Sequence, residues 1–198
     1  MGVLGGTFDP VHMGHLIIAE EAQAKLALDK VIFVPAGQPW LKEGTKISPA
    51  RCRLAMLARA LKSNENFHLD TQEINRPGLT YTVDTISRMK EELGEGTDLY
   101  FLIGLDALVE LGQWKDPKRL SRLCTFVAMK RPGYTTLDLN SLERSIVGIT
   151  KRICLVDNLQ VDISSSDIRE RIREGLSISY LLPEGVEEYI KQEGLYNA

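Results

Sequence analysis

The sequence predicts an α/β fold in which a mostly parallel sheet is flanked by helices. Along the 198 residues, short apolar runs alternate with segments of helical periodicity. The runs that predict strands are 3–4, 31–34, 67–69, 99–103, 125–129 and 153–156. A helix between two strands carries the chain back to the start of the sheet, so the alternation predicts parallel strands. Runs that are apolar throughout, such as 31–34, are typical of strands buried on both faces.

Helices are placed between these strands by apolar stripes and by residues typical of helix ends. The first is predicted over 13–28, and the stripe on one of its faces is Leu16, Ala19, Ala22 and Leu26. Ser48, as N-cap before Pro49, predicts the start of the second helix, whose core stripe is Leu54, Leu57, Ala58 and Leu61. Thr82 is the predicted N-cap of a third helix that ends at Gly94. Further helices are predicted near 120–123, 142–147, 164–175 and 183–193.

The composition is that of an ordinary soluble globular protein, with 43% apolar and 26% charged residues. We expect one domain, 1–198, in which about 160–198 forms a C-terminal helical portion. A net charge of −3 argues against general binding to nucleic acid or to membranes. Three widely spaced cysteines predict free thiols in a reducing cytoplasm. No run is long enough to span a membrane, and a strand at the very start predicts that no signal peptide is present.

A glycine turn follows the first strand and leads directly into the first helix. It reads Gly5-Gly6-Thr7-Phe8-Asp9-Pro10-Val11-His12-Met13-Gly14-His15. Glycines let the backbone approach a ligand closely, and the first N–H groups of a helix have no partner within it. With His12 and His15 facing the same spot, the stretch predicts a phosphate site. The glycines or the histidines alone would not be decisive, because Gly-Gly turns are common and histidine pairs also bind metals.

A second motif, Ile163-Ser164-Ser165-Ser166-Asp167-Ile168-Arg169, opens the helix near 164–175. Hydroxyl groups at a helix N-terminus, with an arginine one turn further on, predict another anion site. The alternative is that Ser164 is only an N-cap and that Arg169, Arg171 and Arg173 form a solvated face.

Four loops should meet at one edge of the sheet, because each of them follows a predicted strand. They are 5–15, 35–42, 104–106 and 130–133. In parallel α/β sheets, ligands bind at this edge, where the strand order switches. We therefore expect the loops to surround one cleft.

The two motifs resemble the signatures of the nucleotidyltransferase superfamily, Gly-Gly-Thr-Phe-Asp-Pro-x-His-x-Gly-His and Ile-Ser-Ser-Thr-x-Ile-Arg. Ser166 stands in the threonine place of the second. Within the superfamily, nearly the whole chain looks most like the bacterial nicotinate mononucleotide adenylyltransferases, which implies a Rossmann-like sheet. The further matches are Tyr81-Thr82-x-Asp84-Thr85, Gly104-x-Asp106-x-Leu108, Trp114, Lys130-Arg131-Pro132-Gly133 and Tyr180-Leu181-Leu182-Pro183. One departure is Pro39-Trp40-Leu41-Lys42, where many members read Pro-Pro-His-Lys. A phosphate contact from Leu41 is therefore not expected, and Trp40 is either a lid residue or a packing residue.

The resemblance implies transfer of AMP from ATP to nicotinate mononucleotide, giving deamido-NAD and pyrophosphate, in NAD biosynthesis. Mg²⁺ would arrive on the ATP phosphates, with no metal fixed by the protein. The catalytic residues implied are His12, His15, Lys42 and Arg169. Those implied for ATP are Gly5, Gly6, Thr7, Phe8, His15, Gly104, Asp106, Ser165, Ser166, Ile168 and Arg169. Those implied for nicotinate mononucleotide are Thr7, Phe8, Lys42, Thr82, Trp114 and Arg131.

Three alternatives stay open at this point. The chain is another adenylyl- or cytidylyltransferase of the superfamily, with nicotinamide mononucleotide or phosphopantetheine as acceptor. Or it is a metal-dependent hydrolase that uses His12 and His15 with Asp9 or Asp106. Or it is a nucleotide-sensing protein without turnover. His68, inside a predicted strand, is expected to be structural. The sequence does not fix the oligomeric state, and a homo-oligomer is one alternative.

Overall fold

The computed structural model describes residues 1–39, 47–94, 96–129, 138–157, 159 and 161–197. The strands are β1 (Gly2–Gly6), β2 (Val31–Pro35), β3 (Gln38–Pro39), β4 (Phe67–Leu69), β5 (Leu79–Thr80), β6 (Tyr100–Gly104), β7 (Thr125–Met129) and β8 (Ile153–Val156). The helices are α1 (Met13–Leu26), α2 (Ala50–Leu61), α3 (Thr82–Leu93), α4 (Leu105–Val109), α5 (Pro117–Leu123), α6 (Leu139–Ser145), α7 (Ser165–Arg173) and α8 (Glu184–Glu193). The described residues also contain two 3₁₀ segments, Glu110–Gln113 and Ile149–Arg152.

Six strands form one parallel sheet in the order β4-β2-β1-β6-β7-β8. From β1 the chain builds outward to β2 and β4, and it then returns to the other side of β1 for β6, β7 and β8. The switch in strand order therefore lies between β1 and β6, and a crevice opens there at the carboxyl ends of the strands. The predicted α/β class with a Rossmann-like parallel sheet is confirmed.

Helices cover both faces of the sheet, and successive residues of a strand contribute to opposite faces. In β1, Leu4 joins the core beneath α1, α2, α7 and α8, whereas Val3 joins the core beneath α3, α5 and α6. Ile32 and Phe33 of β2 alternate in the same way. Burial on both sides explains why the strands read as continuous apolar runs.

Several predicted helix ends differ from the structure by a few residues. The first helix ends at Leu26, and the 104–106 turn is already the start of α4. The helix predicted over 142–147 occupies 139–145 instead. Thr82 is the first residue of α3, and Tyr81 takes the cap position. Helix propensity marks such boundaries loosely, because capping depends on the tertiary contacts of the flanking residues.

The prediction for the start and the stripe of α2 is wrong in part. Pro49, not Ser48, is the N-cap, and Ser48 makes tertiary hydrogen bonds through its backbone instead. Leu57 and Leu61 are buried as predicted, but Leu54 is only half-buried and Ala58 is exposed. The rest of the buried face consists of Cys52, Arg53, Met56 and Ala60. A buried arginine therefore occupies a place that an apolar pattern does not foresee.

All three cysteines are free thiols, as predicted. Cys52 and Cys124 are buried and Cys154 is half-buried. Burial raises the pKa of Cys124 to about 12, so this thiol stays protonated and unreactive near neutral pH. Across the described ranges, no helix is both long and apolar enough to cross a membrane.

Candidate active site

The glycine turn after β1 is held against the end of β2. The Ala36 N–H donates to the Gly6 carbonyl at 2.8 Å. A β-carbon at Gly6 would lie 3.0 Å from the Phe8 ring, so any side chain at this position would crowd that ring. The Phe8 ring is itself buried, with its centroid 5.8 Å from that of Phe33. The turn is thus anchored in the core, and any ligand contact from Phe8 would come from its backbone.

The rings of His12 and His15 pack closely at the start of α1, with centroids 3.8 Å apart and a tilt of 32° between their planes. His12 is the N-cap and is only 2% exposed, whereas His15 is half-buried. The His12 backbone N–H donates to Nδ1 of His15 at 3.2 Å. Because Nδ1 accepts, a neutral His15 carries its proton on Nε2. His15 therefore presents a ring N–H donor from the first turn of a helix, where the dipole also favours an anion.

The second motif docks directly on the first. Nη1 of Arg169 donates to the Asp9 carbonyl at 2.7 Å, and the Ser165 hydroxyl donates to the Pro10 carbonyl at 2.9 Å. These bonds join positions 160 and 155 residues apart. The structure therefore brings together the two motifs that the sequence singled out.

Within this second motif the serines have separate roles. Ser164 is the N-cap of α7 and accepts from the Asp167 N–H at 3.1 Å, which is the alternative considered for it from sequence. The Ser166 hydroxyl accepts from Nη2 of Arg169 at 3.2 Å. The side chain of Ile168 is fully buried, so the predicted contact with ATP would have to come from its backbone. That contact stays a prediction.

A cavity of about 180 Å³ lies beside the turn, between the ends of β1 and β2 and the start of α3. Its lining consists of Gly5, Gly6, Thr7, Val34, Ala36, Pro39, Glu73, Thr80, Thr82, Phe101 and Trp114. Trp114 packs edge-on against Phe101, with centroids 6.0 Å apart. Nε1 of Trp114 and Oγ1 of Thr80 are buried and have no hydrogen-bond partner within the described part of the chain. An aromatic wall with polar atoms left to satisfy suits a flat ring that carries a polar substituent.

Of the remaining predicted residues, Gly104 is the last residue of β6, the strand that pairs with β1, and Asp106 lies in the first turn of α4, which follows β6. Lys42 and Arg131 lie outside the described residues, as do Trp40, Leu41 and the whole 130–133 turn. His68 is exposed on β4, at the sheet edge away from the crevice.

Arg53 is a residue that sequence reasoning missed. It is 2% exposed, and its guanidinium donates to the carbonyls of Ser48 at 3.1 Å, Thr7 at 3.0 Å and Ala36 at 2.8 Å. Burial lowers the pKa of Arg53, while the charge of Asp9 opposes that shift. One side chain thus ties the turn after β1, the loop after β2 and the approach to α2 to each other.

Asp9 lies in the first motif, and the sequence did not indicate its structural role: the residue is only 4% exposed and its carboxylate is bonded within the protein. Oδ2 accepts from the Ser48 N–H at 3.0 Å, and Oδ1 accepts from the Tyr196 hydroxyl at 2.7 Å. Both oxygens therefore have partners inside the protein. This arrangement does not fit the alternative in which Asp9 completes a metal site with His12 and His15. Among the described residues, no group of three or more His, Cys, Asp or Glu side chains is placed to hold a metal ion.

Comparison with known proteins gives consistent results. A family model described as cytidylyltransferase-like matches residues 3–171. A probable nicotinate-nucleotide adenylyltransferase of Dehalococcoides mccartyi is 43% identical, covering 99% of this chain and 96% of that protein. One of Moorella thermoacetica is 45% identical, covering 99% and 91%. The nicotinic acid mononucleotide adenylyltransferase of Plasmodium falciparum, solved in complex with NaAD, superposes with a TM-score of 0.81 at 18% identity, covering 98% and 96%.

Proposed function

The chain belongs to the cytidylyltransferase-like family, and from that premise we propose that its cleft transfers AMP from ATP to nicotinate mononucleotide. The products are deamido-NAD and pyrophosphate. The observation that carries the proposal is the union of the two motifs at the end of β1, where Arg169 and Ser165 bind the backbone of the first motif. A phosphate-binding helix start and a cavity for a flat ring thereby adjoin each other.

The reaction needs alignment more than it needs a base. A phosphate oxygen of the mononucleotide attacks the α-phosphorus of ATP, and the bond from that phosphorus to the pyrophosphate oxygen breaks. Since the attacking phosphate is already ionised near pH 7, no side chain has to remove a proton. What the protein supplies is orientation of two anions and stabilisation of the charge that develops between them.

His15 is assigned the main role on the α-phosphate. Its Nδ1 accepts from the His12 backbone, so Nε2–H is the ring donor that can reach a phosphate oxygen. Arg169 uses two of its donors within the protein, and a guanidinium has five. It therefore keeps donors for the phosphates while its own position is fixed. His12 packs against His15 and is only 2% exposed, so its contact with the phosphate chain stays a prediction.

Mg²⁺ is proposed to enter as part of the substrate, MgATP, and to offset the repulsion between the two polyanions. Lys42 and Arg131 are proposed to add positive charge from the two loops outside the described residues.

The cavity next to the turn is proposed to receive the nicotinate ring. Trp114 offers an aromatic face to a positively charged pyridinium ring, and its buried N–H and the Thr80 hydroxyl are both able to donate to a carboxylate. Thr82, the first residue of α3, adds helix-start N–H groups to the same wall. A carboxylate accepts from all of these donors, whereas an amide presents an NH₂ group to some of them. The acid form of the mononucleotide is therefore the preferred substrate.

Pyrophosphate release with MgATP tests this proposal, run in parallel on nicotinate mononucleotide, nicotinamide mononucleotide and phosphopantetheine. We expect release with nicotinate mononucleotide alone, or far faster than with the others. Faster release with the amide form would overturn the acid preference while leaving the reaction type in place. No release with any acceptor would refute the assigned substrate.

A further inference from the structure

We propose that Tyr196, a C-terminal residue distant from both motifs in sequence, is a positioning residue for adenylyl transfer that acts through Asp9. The inference rests on the function proposed above. Its basis is the hydrogen bond from the Tyr196 hydroxyl to Oδ1 of Asp9, at 2.7 Å and across 187 positions of sequence.

The bond is well placed to hold the turn, because Asp9 is almost fully buried. A hydrogen bond to a carboxylate is shorter and stronger than one between neutral groups, and burial strengthens it further. Burial and the bond to Asp9 both raise the pKa of Tyr196, so the hydroxyl remains a donor at neutral pH. The Tyr196 ring packs against the core beneath α1 and α2, and this packing fixes the direction from which the hydroxyl approaches.

Asp9 passes this constraint on to groups that face the phosphates. Its carbonyl oxygen accepts from Arg169, and its other carboxylate oxygen accepts from the Ser48 N–H. His12 follows three positions later and is the N-cap of α1. Asp9 is therefore held from three directions, by Tyr196, Ser48 and Arg169. The position of Asp9 in turn sets where α1, the helix that carries His15, begins.

A second contact ties the same C-terminal region to the first motif. The N–H of Met13, the first residue of α1, donates to the Leu181 carbonyl at 2.9 Å. One of the donors that a helix start leaves unpaired is thus satisfied from the segment between α7 and α8. The C-terminal region fixes the phosphate-binding turn at both Asp9 and Met13.

The test is Tyr196→Phe, which removes the hydroxyl and keeps the ring. We expect kcat with nicotinate mononucleotide and MgATP to fall by about tenfold, since small displacements of positioned groups have effects of this order or larger. KM for nicotinate mononucleotide should stay within about twofold, because the ring cavity is lined by residues other than Asp9 and Tyr196. Tyr180→Phe is the matched control: Tyr180 is 93% exposed, and kcat should be unchanged.

A double-mutant cycle separates positioning from general packing. In an Asp9→Ala background, Tyr196→Phe should have little further effect on kcat, because the side chain that accepts from the Tyr196 hydroxyl is already gone. Thermal unfolding of every variant sets an assay temperature at which all are folded. Normal kcat for Tyr196→Phe, a loss that merely follows the unfolded fraction, or a full additional loss in the Asp9→Ala background would each overturn the inference. If wild type itself releases no pyrophosphate, the proposed function fails instead, so the two failures are distinguishable.

Discussion

Replacing Arg53 with methionine should destabilise the whole candidate site. Methionine keeps much of the volume and the apolar stem but removes the guanidinium. The partly buried carbonyls of Thr7, Ala36 and Ser48 then lose their donor, and a longer contact with the Gly37 carbonyl, at 3.5 Å, is lost with them. Because these carbonyls belong to three separate loops, the loss affects the arrangement of the loops as well as the core.

The size of the effect follows from the hydrogen bonds. Each bond from a charged donor contributes about 1.5–3 kcal/mol, and a buried acceptor left alone costs about 1–3 kcal/mol. The energy needed to bury the guanidinium offsets part of this, as its lowered pKa indicates. Three bonds at 2.8–3.1 Å then give a net loss of about 3–5 kcal/mol in the free energy of unfolding. For a chain of this size, that corresponds to a fall in Tm of roughly 6–20 °C.

Urea unfolding of wild type and Arg53→Met, followed by circular dichroism, measures this difference. Arg59→Met is the matched control on the same helix, because Arg59 is exposed. Among the described residues, its guanidinium donates to the Ala55 carbonyl one turn away and lies over the Tyr189 ring. Its loss should stay below about 1 kcal/mol. A loss for Arg53→Met no larger than that of the control would refute the role given to the buried guanidinium.

Two further predictions concern a close approach and a titrating group. A β-carbon at Gly37 would lie 2.1 Å from a backbone carbonyl oxygen, so Gly37→Ala should lower the free energy of unfolding by about 1–3 kcal/mol. Gly96→Ala is the control, because a β-carbon at Gly96 would have no atom within 4 Å, and it should have little effect in the same urea titration. The raised pKa of Tyr196 means that the folded state holds the phenolic proton more tightly than the unfolded chain does. The stability that comes from this proton is complete below about pH 10 and is lost as the pH rises toward the folded-state pKa. Wild type should therefore lose stability above pH 10 more steeply than Tyr196→Phe, and parallel pH curves would contradict this.

The sheet could be predicted from the sequence, and the two motifs could be singled out, because their signals are local. Six apolar runs predicted the six strands of the main sheet, whereas β3 and β5 were not predicted because two residues carry no periodicity. The cleft could also be predicted, since parallel strands place their carboxyl ends together. Helix ends were harder to predict: Ser48 has the properties of an N-cap, yet its backbone is engaged by Asp9 and Arg53.

The residues that hold the site together could not be predicted, because their partners are distant in sequence. Arg53 reads as one more charged residue in a helix, and its burial depends on carbonyls from three loops. Nothing near Tyr196 indicates that its hydroxyl reaches Asp9. Trp114 and Thr82 were identified through the family resemblance, and the structure adds that they share a cavity with Thr80, which the resemblance did not single out.

The most direct test of the account is a comparison of His15→Ala with wild type, measuring kcat for pyrophosphate release and, by isothermal titration, the Kd for nicotinate mononucleotide. His68→Ala serves as the control, because His68 is exposed on the edge strand β4. We expect His15→Ala to lower kcat by roughly 10²-fold or more, the scale of losing one such donor to a transition state, with little change in Kd. His68→Ala should leave both values unchanged. Turnover near the wild-type value in His15→Ala would contradict the central claim that this ring stabilises the α-phosphate.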